Sequence, residues 1–164
     1  MQTLLGLTEE VLSNDLNDDR LIRGRRMGLR SGQETELATS DTVPECRMTY
    51  LSGGEEETIE YLQARCVLRL KPVRQQDGWV RLEFTPEIHH GAAQMRPTPS
   101  DEGWALRGGQ KIDVRHALKF SVTLSTGEFV VIGCDGKNAD LPGSRFFRRE
   151  TENAGEQQRL LVVR

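Results

Sequence analysis

From Tyr61 to Ile88 the sequence alternates apolar and polar residues through two consecutive runs, with Gln75-Gln76-Asp77-Gly78 between them. In the first run Leu62, Ala64, Cys66, Leu68 and Leu70 fall on one face, and Gln63, Arg65, Arg69 and Lys71 on the other. Between Gln63 and Lys71, Val67 is the single apolar residue on that polar face. In the second run Val80, Leu82, Phe84, Pro86 and Ile88 share a face, opposite Trp79, Arg81, Glu83, Thr85 and Glu87. A period of two through two runs bridged by Asp-Gly is the signature of a β-hairpin with one buried and one wet side. Leu68 and Leu82 are therefore expected in the core, with Arg69 and Arg81 facing solvent or a subunit contact.

The same pattern continues downstream. Lys111–Leu124 reads as a third long strand with Ile112, Val114, His116, Leu118, Phe120, Val122 and Leu124 on one face. Thr126-Gly127 turns it into the continuously apolar Phe129-Val130-Val131-Ile132, expected as a central strand, and Arg159–Arg164 reads as a buried closing strand. Upstream, Thr35 and Leu37 share one face of a short strand over Glu34–Thr39, which ends before Pro44. The segment Ser52–Glu57 is a polar loop tip. The stretches His89–Gly109 and Asp135–Ser144, rich in Gly, Pro and Asp, read as loops, the first being the longest. Leucines at three- and four-residue intervals from Thr3 to Leu16 predict a short amphipathic helix. Five arginines between Arg20 and Arg30, interleaved with Leu21, Ile22, Met27 and Leu29, suit a charged edge strand better than an anion site, because acidic segments flank them. The expected fold is mainly β: an antiparallel bent sheet or small β-sandwich with a short N-terminal helix. Residues 1–20 form a helical lead-in and 21–164 the β-domain.

Composition narrows the function. Only 36% of the 164 residues are hydrophobic, so the core is thin, as one sheet layer requires. The net charge of −3 with interleaved signs gives no footprint for nucleic acid. No apolar run reaches the roughly 20 residues of a membrane-spanning helix. Met1–Leu7 lacks a basic leader, so no signal peptide is expected in this chain. Cys46, Cys66 and Cys134 form no CxxC pair; Cys66, set among leucines, reads as a small buried hydrophobe, and free thiols fit better than a Cys46–Cys134 disulfide.

No constellation carries catalysis. His89 and His90 follow Glu87, but neighbours on a strand point to opposite faces and cannot share one ion without a bend. They are expected as polar residues opening the loop, and His116 as a hydrogen-bonded core or interface histidine. Gly133-Cys134-Asp135-Gly136-Lys137 lacks the glycines of a dinucleotide fingerprint and the GK[ST] of a phosphate loop. Ser125 and Ser144 lack a nucleophile elbow. No catalytic, cofactor-binding or metal residue is assigned, and no enzyme is expected.

Taken in order, the segments resemble a known family. Leu29-Arg30-Ser31-Gly32-Gln33-Glu34-Thr35-Glu36-Leu37 followed by Val43-Pro44, the hairpin from Tyr61 to Pro72 and Asp77 to Ile88, and Phe120–Leu124 followed by Thr126-Gly127-Glu128-Phe129-Val130-Val131-Ile132-Gly133 resemble the C-terminal β-domain of bacterial secretins. These are the outer-membrane pore proteins of type II and type III secretion. The resemblance covers roughly residues 21–164. It implies a non-catalytic structural module of the cell envelope, in the periplasm or outer membrane if exported. Its partners would be further copies or other secretion proteins, met through strand edges. A free-standing, planctomycete-like relative of the module is a second form of the same resemblance. Family members carry periplasmic modules ahead of this domain and a second glycine where this sequence has Cys134, and neither long polar stretch offers a membrane lip. A free-standing β-sandwich adaptor and a small hydrolase remain as other classes.

Overall fold

Two strands of unusual length carry the architecture. In the computed structural model, which describes residues 10–11, 23–24, 27–52, 54–76, 78–100, 103–134, 138–151 and 155–164, the order is β1 (Glu10–Val11), β2 (Arg23–Gly24), β3 (Thr35–Ala38), β4 (Val43–Ser52), β5 (Glu55–Arg74), β6 (Val80–Ser100), β7 (Gly103–Val114), β8 (Phe120–Leu124), β9 (Val130–Ile132), α1 (Pro142–Phe147), β10 (Arg148–Thr151), β11 (Gly155–Gln158) and β12 (Leu161–Val163). β5 and β6 run 20 and 21 residues and pair antiparallel from Arg65↔His89 to Arg74↔Val80. On one flank β5 pairs with β3 and β4; on the other β6 pairs with β8 and β7. The result is a curled antiparallel sheet, a half-barrel, as the alternation predicted.

The core fills the concave side. Cys66, Leu68 and Leu70 of β5 meet Leu82, Phe84 and Ile88 of β6, all at most 3% exposed. Cys46, Met48 and Tyr50 of β4 join them, together with Phe146 and Phe147 of α1 and Val163 of β12. The five aliphatic or aromatic side chains among these, buried on one hairpin, contribute about 1.5–3 kcal/mol each to the folding drive.

Beyond Arg65 and His89 the two long strands part. β5 continues with β4 and β6 continues with β7, forming two hairpin arms that, among the described residues, no ladder joins to each other. Both strands carry a left-handed residue at the fork: Gln63 at φ 49° and Gly91 at φ 77°. Gln63 is the one non-glycine residue with positive φ among those described. The Gln110 side chain closes the fork, its Nε2 donating to Gln63 O at 2.6 Å and Gly91 O at 2.9 Å. The irregularity at Gln63 also shifts the phase of β5. Tyr61 is buried beside Ala64, whereas Leu62, expected in the core, is 62% exposed.

Several sequence expectations are corrected. The supposed loop His89–Gly109 is the β6–β7 arm, whose glycines, prolines and register shift between His90 and Gln94 hide its period. Lys111–Leu124 is not one strand: it breaks at a 3₁₀ turn, His116–Leu118, and His116 is exposed rather than a core histidine. β9 is not central but forms a separate two-stranded sheet with β12. There Phe129, Val131, Leu160 and Val162 are at least half exposed, so the closing strand is buried on one side only. The stretch 135–144, read as a loop, leads into α1, started by Pro142 at its first turn. The helix expected over Thr3–Leu16 lies outside the described residues except at Glu10–Val11, which are extended and pair with Arg23–Gly24.

Candidate functional site

Two polar clusters sit on opposite faces of the sheet at the base of the fork. The outer one grows from the alternation itself. On this face the register sets Val67 opposite Glu87, with Arg65 opposite His89 on one side and Arg69 opposite Thr85 on the other. β3 adds Glu36 opposite Arg69. Glu87, expected at the wet surface, is fully buried, as is Val67, and His89 is 4% exposed. Burying a charge is costly unless it is paired, so the side chains around Glu87 matter. Arg69 Nη2 approaches Glu87 Oε1 at 2.5 Å, and His89 Nε2 donates to Glu87 Oε2 at 3.1 Å. Arg65 Nη2 lies 3.4 Å from His89 Nδ1, and a guanidinium can only donate, so the Nε2–H tautomer fits both contacts. Glu34 completes the charge balance, 3.6 Å from Arg69 and 3.8 Å from Lys71.

Glu36, Glu87 and His89 also bring one ligand atom each within 4.8 Å of one another. This grouping was missed because Glu36 lies 51 positions before Glu87, and only strand pairing unites them. Two carboxylates and an imidazole are a competent donor set for zinc. Here the guanidinium of Arg69 already neutralises the buried carboxylate, so a metal would have to displace it. The arrangement is that of an internal ion-pair network. Of the two adjacent histidines only His89 joins it; His90 faces the other side, edge-on to Tyr61 at 5.1 Å.

The inner cluster links β4, β5 and β7. The Tyr61 hydroxyl donates to Asp113 Oδ2 at 2.7 Å, and Arg115 reaches the same oxygen at 2.6 Å and also donates to the Tyr61 hydroxyl. The Arg115 guanidinium lies 4.1 Å from the centroid of the Tyr50 ring, a cation–π contact. The Tyr50 hydroxyl is 3.4 Å from that of Tyr61. Burial, then the bonds to Tyr50 and Asp113, push the Tyr61 phenol well above its ordinary range, and burial raises Tyr50 too. Neither phenol is an available acid or base; both act as fixed hydrogen-bonding struts.

The remaining sequence candidates are dispersed. The Ser144 hydroxyl donates to Asn138 O at 2.7 Å, and the Ser125 backbone N–H donates to Glu128 Oε2 at 2.8 Å. The three cysteines are thiols. Burial, reinforced by the neighbouring Cys46, pushes Cys66 up to about 12, which makes it inert. Between β8 and the following turn, Val122–Leu124 and Gly127–Val130 line a shallow open groove containing no cluster of titratable groups. No family model matches the chain, and no curated protein or solved structure matches it either.

Proposed function

We propose that this chain is a non-catalytic, secretin-like β-module, a structural part of a bacterial envelope or protein-secretion complex that meets its partners through strand edges. The observation that carries this reading is the pair of long central strands, which outrun their mutual pairing and project as two hairpin arms. Arms of that kind offer backbone hydrogen-bonding groups to a neighbour, which is how sheets extend across chains. The order of strands, hairpin then β8 and β9, agrees with the resemblance in the sequence. The titratable groups of both polar clusters are spent on one another, as suits a scaffold.

A second reading, a free-standing protein-binding adaptor, draws on one separate observation. Phe129, Val131, Leu160 and Val162 form an exposed apolar strip on the β9–β12 ribbon. Cell fractionation of the native host and light scattering on the purified chain separate the two. The structural module predicts co-sedimentation with envelope complexes and an isolated chain that is soluble without detergent and monomeric or weakly associated. A purely cytosolic monomer favours the adaptor. Turnover of a substrate that is abolished by Glu87→Gln in a folded protein would refute both.

A further inference from the structure

The backbone edges of the main sheet differ in how their hydrogen-bonding groups are covered and in the charge they carry. The β3–β4 flank is capped. Asp140 O accepts from Thr49 N at 2.8 Å, Arg145 Nε donates to Arg47 O at 3.1 Å, and Arg159 donates to Thr39 O. β8 makes, among the described residues, no backbone hydrogen bond outside its ladder with β6, but its five residues, Phe120–Leu124, hold no charge with which to select a partner. The fork-side edge of β6 carries Pro97 and Pro99, two residues apart and so on the same side. The β6–β7 ladder stays in register through both, so their nitrogens, unable to donate, face away from β7 and block strand addition there. The fork-side edge of β5 lies along Glu55, Glu56, Glu57 and Glu60, a strongly acidic stretch.

β7 alone among these edges combines an open backbone with cations and no proline. From Gly108 to Val114 its backbone makes, among the described residues, no hydrogen bond outside its ladder with β6. Gly108, Gly109, Lys111 and Ile112 are exposed, the last at 48%. The strand from Gly103 to Ile112 holds two cations, Arg107 and Lys111, and no acid. The register also sets Arg107 opposite Arg96. Asp113, the first carboxylate after these cations, is held by Arg115 and Tyr61. Pairing of two β7 edges would bring like charges together, which disfavours a second copy at this edge.

We propose that the outer edge of β7, Gly108–Val114, is the docking edge for an extended, acidic segment of a partner protein, added as a further antiparallel or parallel strand. This rests on the strand-edge reading above and names the edge and the chemistry of what binds there. Main-chain hydrogen bonds supply affinity, and carboxylates at alternate positions of the segment face Lys111 and the Arg96/Arg107 position.

The test uses fluorescein-labelled ten-residue peptides with glutamate at alternate positions and valine or threonine between them. The controls are the lysine counterpart and a version interrupted by proline. On the full chain, anisotropy is expected to report binding of the acidic peptide alone, weakened by salt and about tenfold weaker in Lys111→Glu. Hydrogen exchange is expected to show new protection confined to Gly108–Val114. Equal binding of acidic and basic peptides, or protection elsewhere, overturns the proposal. So does self-association that protects β7 and is abolished by Lys111→Glu, which would make the occupant a second copy. Large envelope assemblies that form while β7 stays unprotected sink this proposal and leave the structural-module reading standing. A cytosolic chain that still binds the acidic peptide at β7 does the reverse.

Discussion

Glu87 offers the sharpest test of how this sheet is held together. Its carboxylate is fully buried, paired with an Arg69 side chain that is 33% exposed and hydrogen-bonded to a buried His89. Replacing Arg69 with methionine leaves the carboxylate with His89 alone, and breaking a buried pair from one side costs about 3–5 kcal/mol. Replacing Glu87 with methionine is gentler. The guanidinium can rehydrate through its exposed third and lean toward Glu34, so about 2–3 kcal/mol is expected. The double variant Arg69→Met/Glu87→Met removes both charges and fills the space with apolar atoms. Such replacements are often neutral, so it should lie within about 1 kcal/mol of wild type. Urea unfolding followed by the fluorescence of Trp79 and Trp104 gives all four corners of the cycle. If the double variant loses the sum of the single losses to within about 0.5 kcal/mol, the pair does not act as a unit and the account of this face is wrong.

Other outcomes follow from the same structure. Leu68→Ala should cost about 2–5 kcal/mol in urea unfolding, since Leu68 is 1% exposed at the centre of the core; a loss under about 0.5 kcal/mol would contradict its placement. Cys66 should make the fold alkali-sensitive. The unfolded thiol gives up its proton near 9 and the folded one near 12, so the unfolded state binds fewer protons in that window. Cys66 should therefore contribute a fall of about 1.4 kcal/mol per pH unit from about 9 to about 12, on top of the same-signed contributions of Cys46, Tyr50 and Tyr61, and Cys66→Ala should make the decline shallower by that amount. Gln63→Gly should match or exceed wild-type stability by up to about 1 kcal/mol, while Gln63→Val should lose more than about 1, because φ 49° suits a residue without a branched Cβ. Dialysis against zinc followed by elemental analysis should find no stoichiometric metal. Bound zinc that disappears in His89→Ala would mean that Arg69 yields its place to an ion.

The hairpin was legible because alternation is a local signal and both faces of β5 and β6 obey it around Leu68 and Leu82. It failed at Gln63, where a left-handed backbone that glutamine rarely adopts moved Tyr61 into the core and Leu62 out of it. The β6–β7 arm was illegible for a related reason. Its pairing is set by the hairpin below it, and a register shift beside Gly91 destroys the period that would have announced it. The outer polar cluster left one trace. Val67, the lone apolar residue on a charged face, stands directly opposite Glu87 and marks the place where that face is covered. Nothing local could add Glu36, whose place depends on β3 pairing with β5. β9 and β12 misled because a run of apolar residues does not distinguish a central strand from a two-stranded ribbon with one bare face.

The fork at Gln63 and Gly91 has a bearing on how such a chain can change over generations. Past Gln110 the β6–β7 arm answers only to its own turn, since no ladder among the described residues joins it to the β4–β5 arm. Adding or deleting one residue on each of its strands lengthens or shortens it without re-indexing a single pair in the core. An unmatched residue there is absorbed as a bulge above the fork. Below the fork the same change would turn Leu68 or Leu82 to the wrong side of the sheet, and in the β4–β5 arm it would move Cys46, Met48 or Tyr50 out of the core. The molecule is thus divided into a stretch of sequence where length is fixed and one where length can drift, with Gln110 standing at the border.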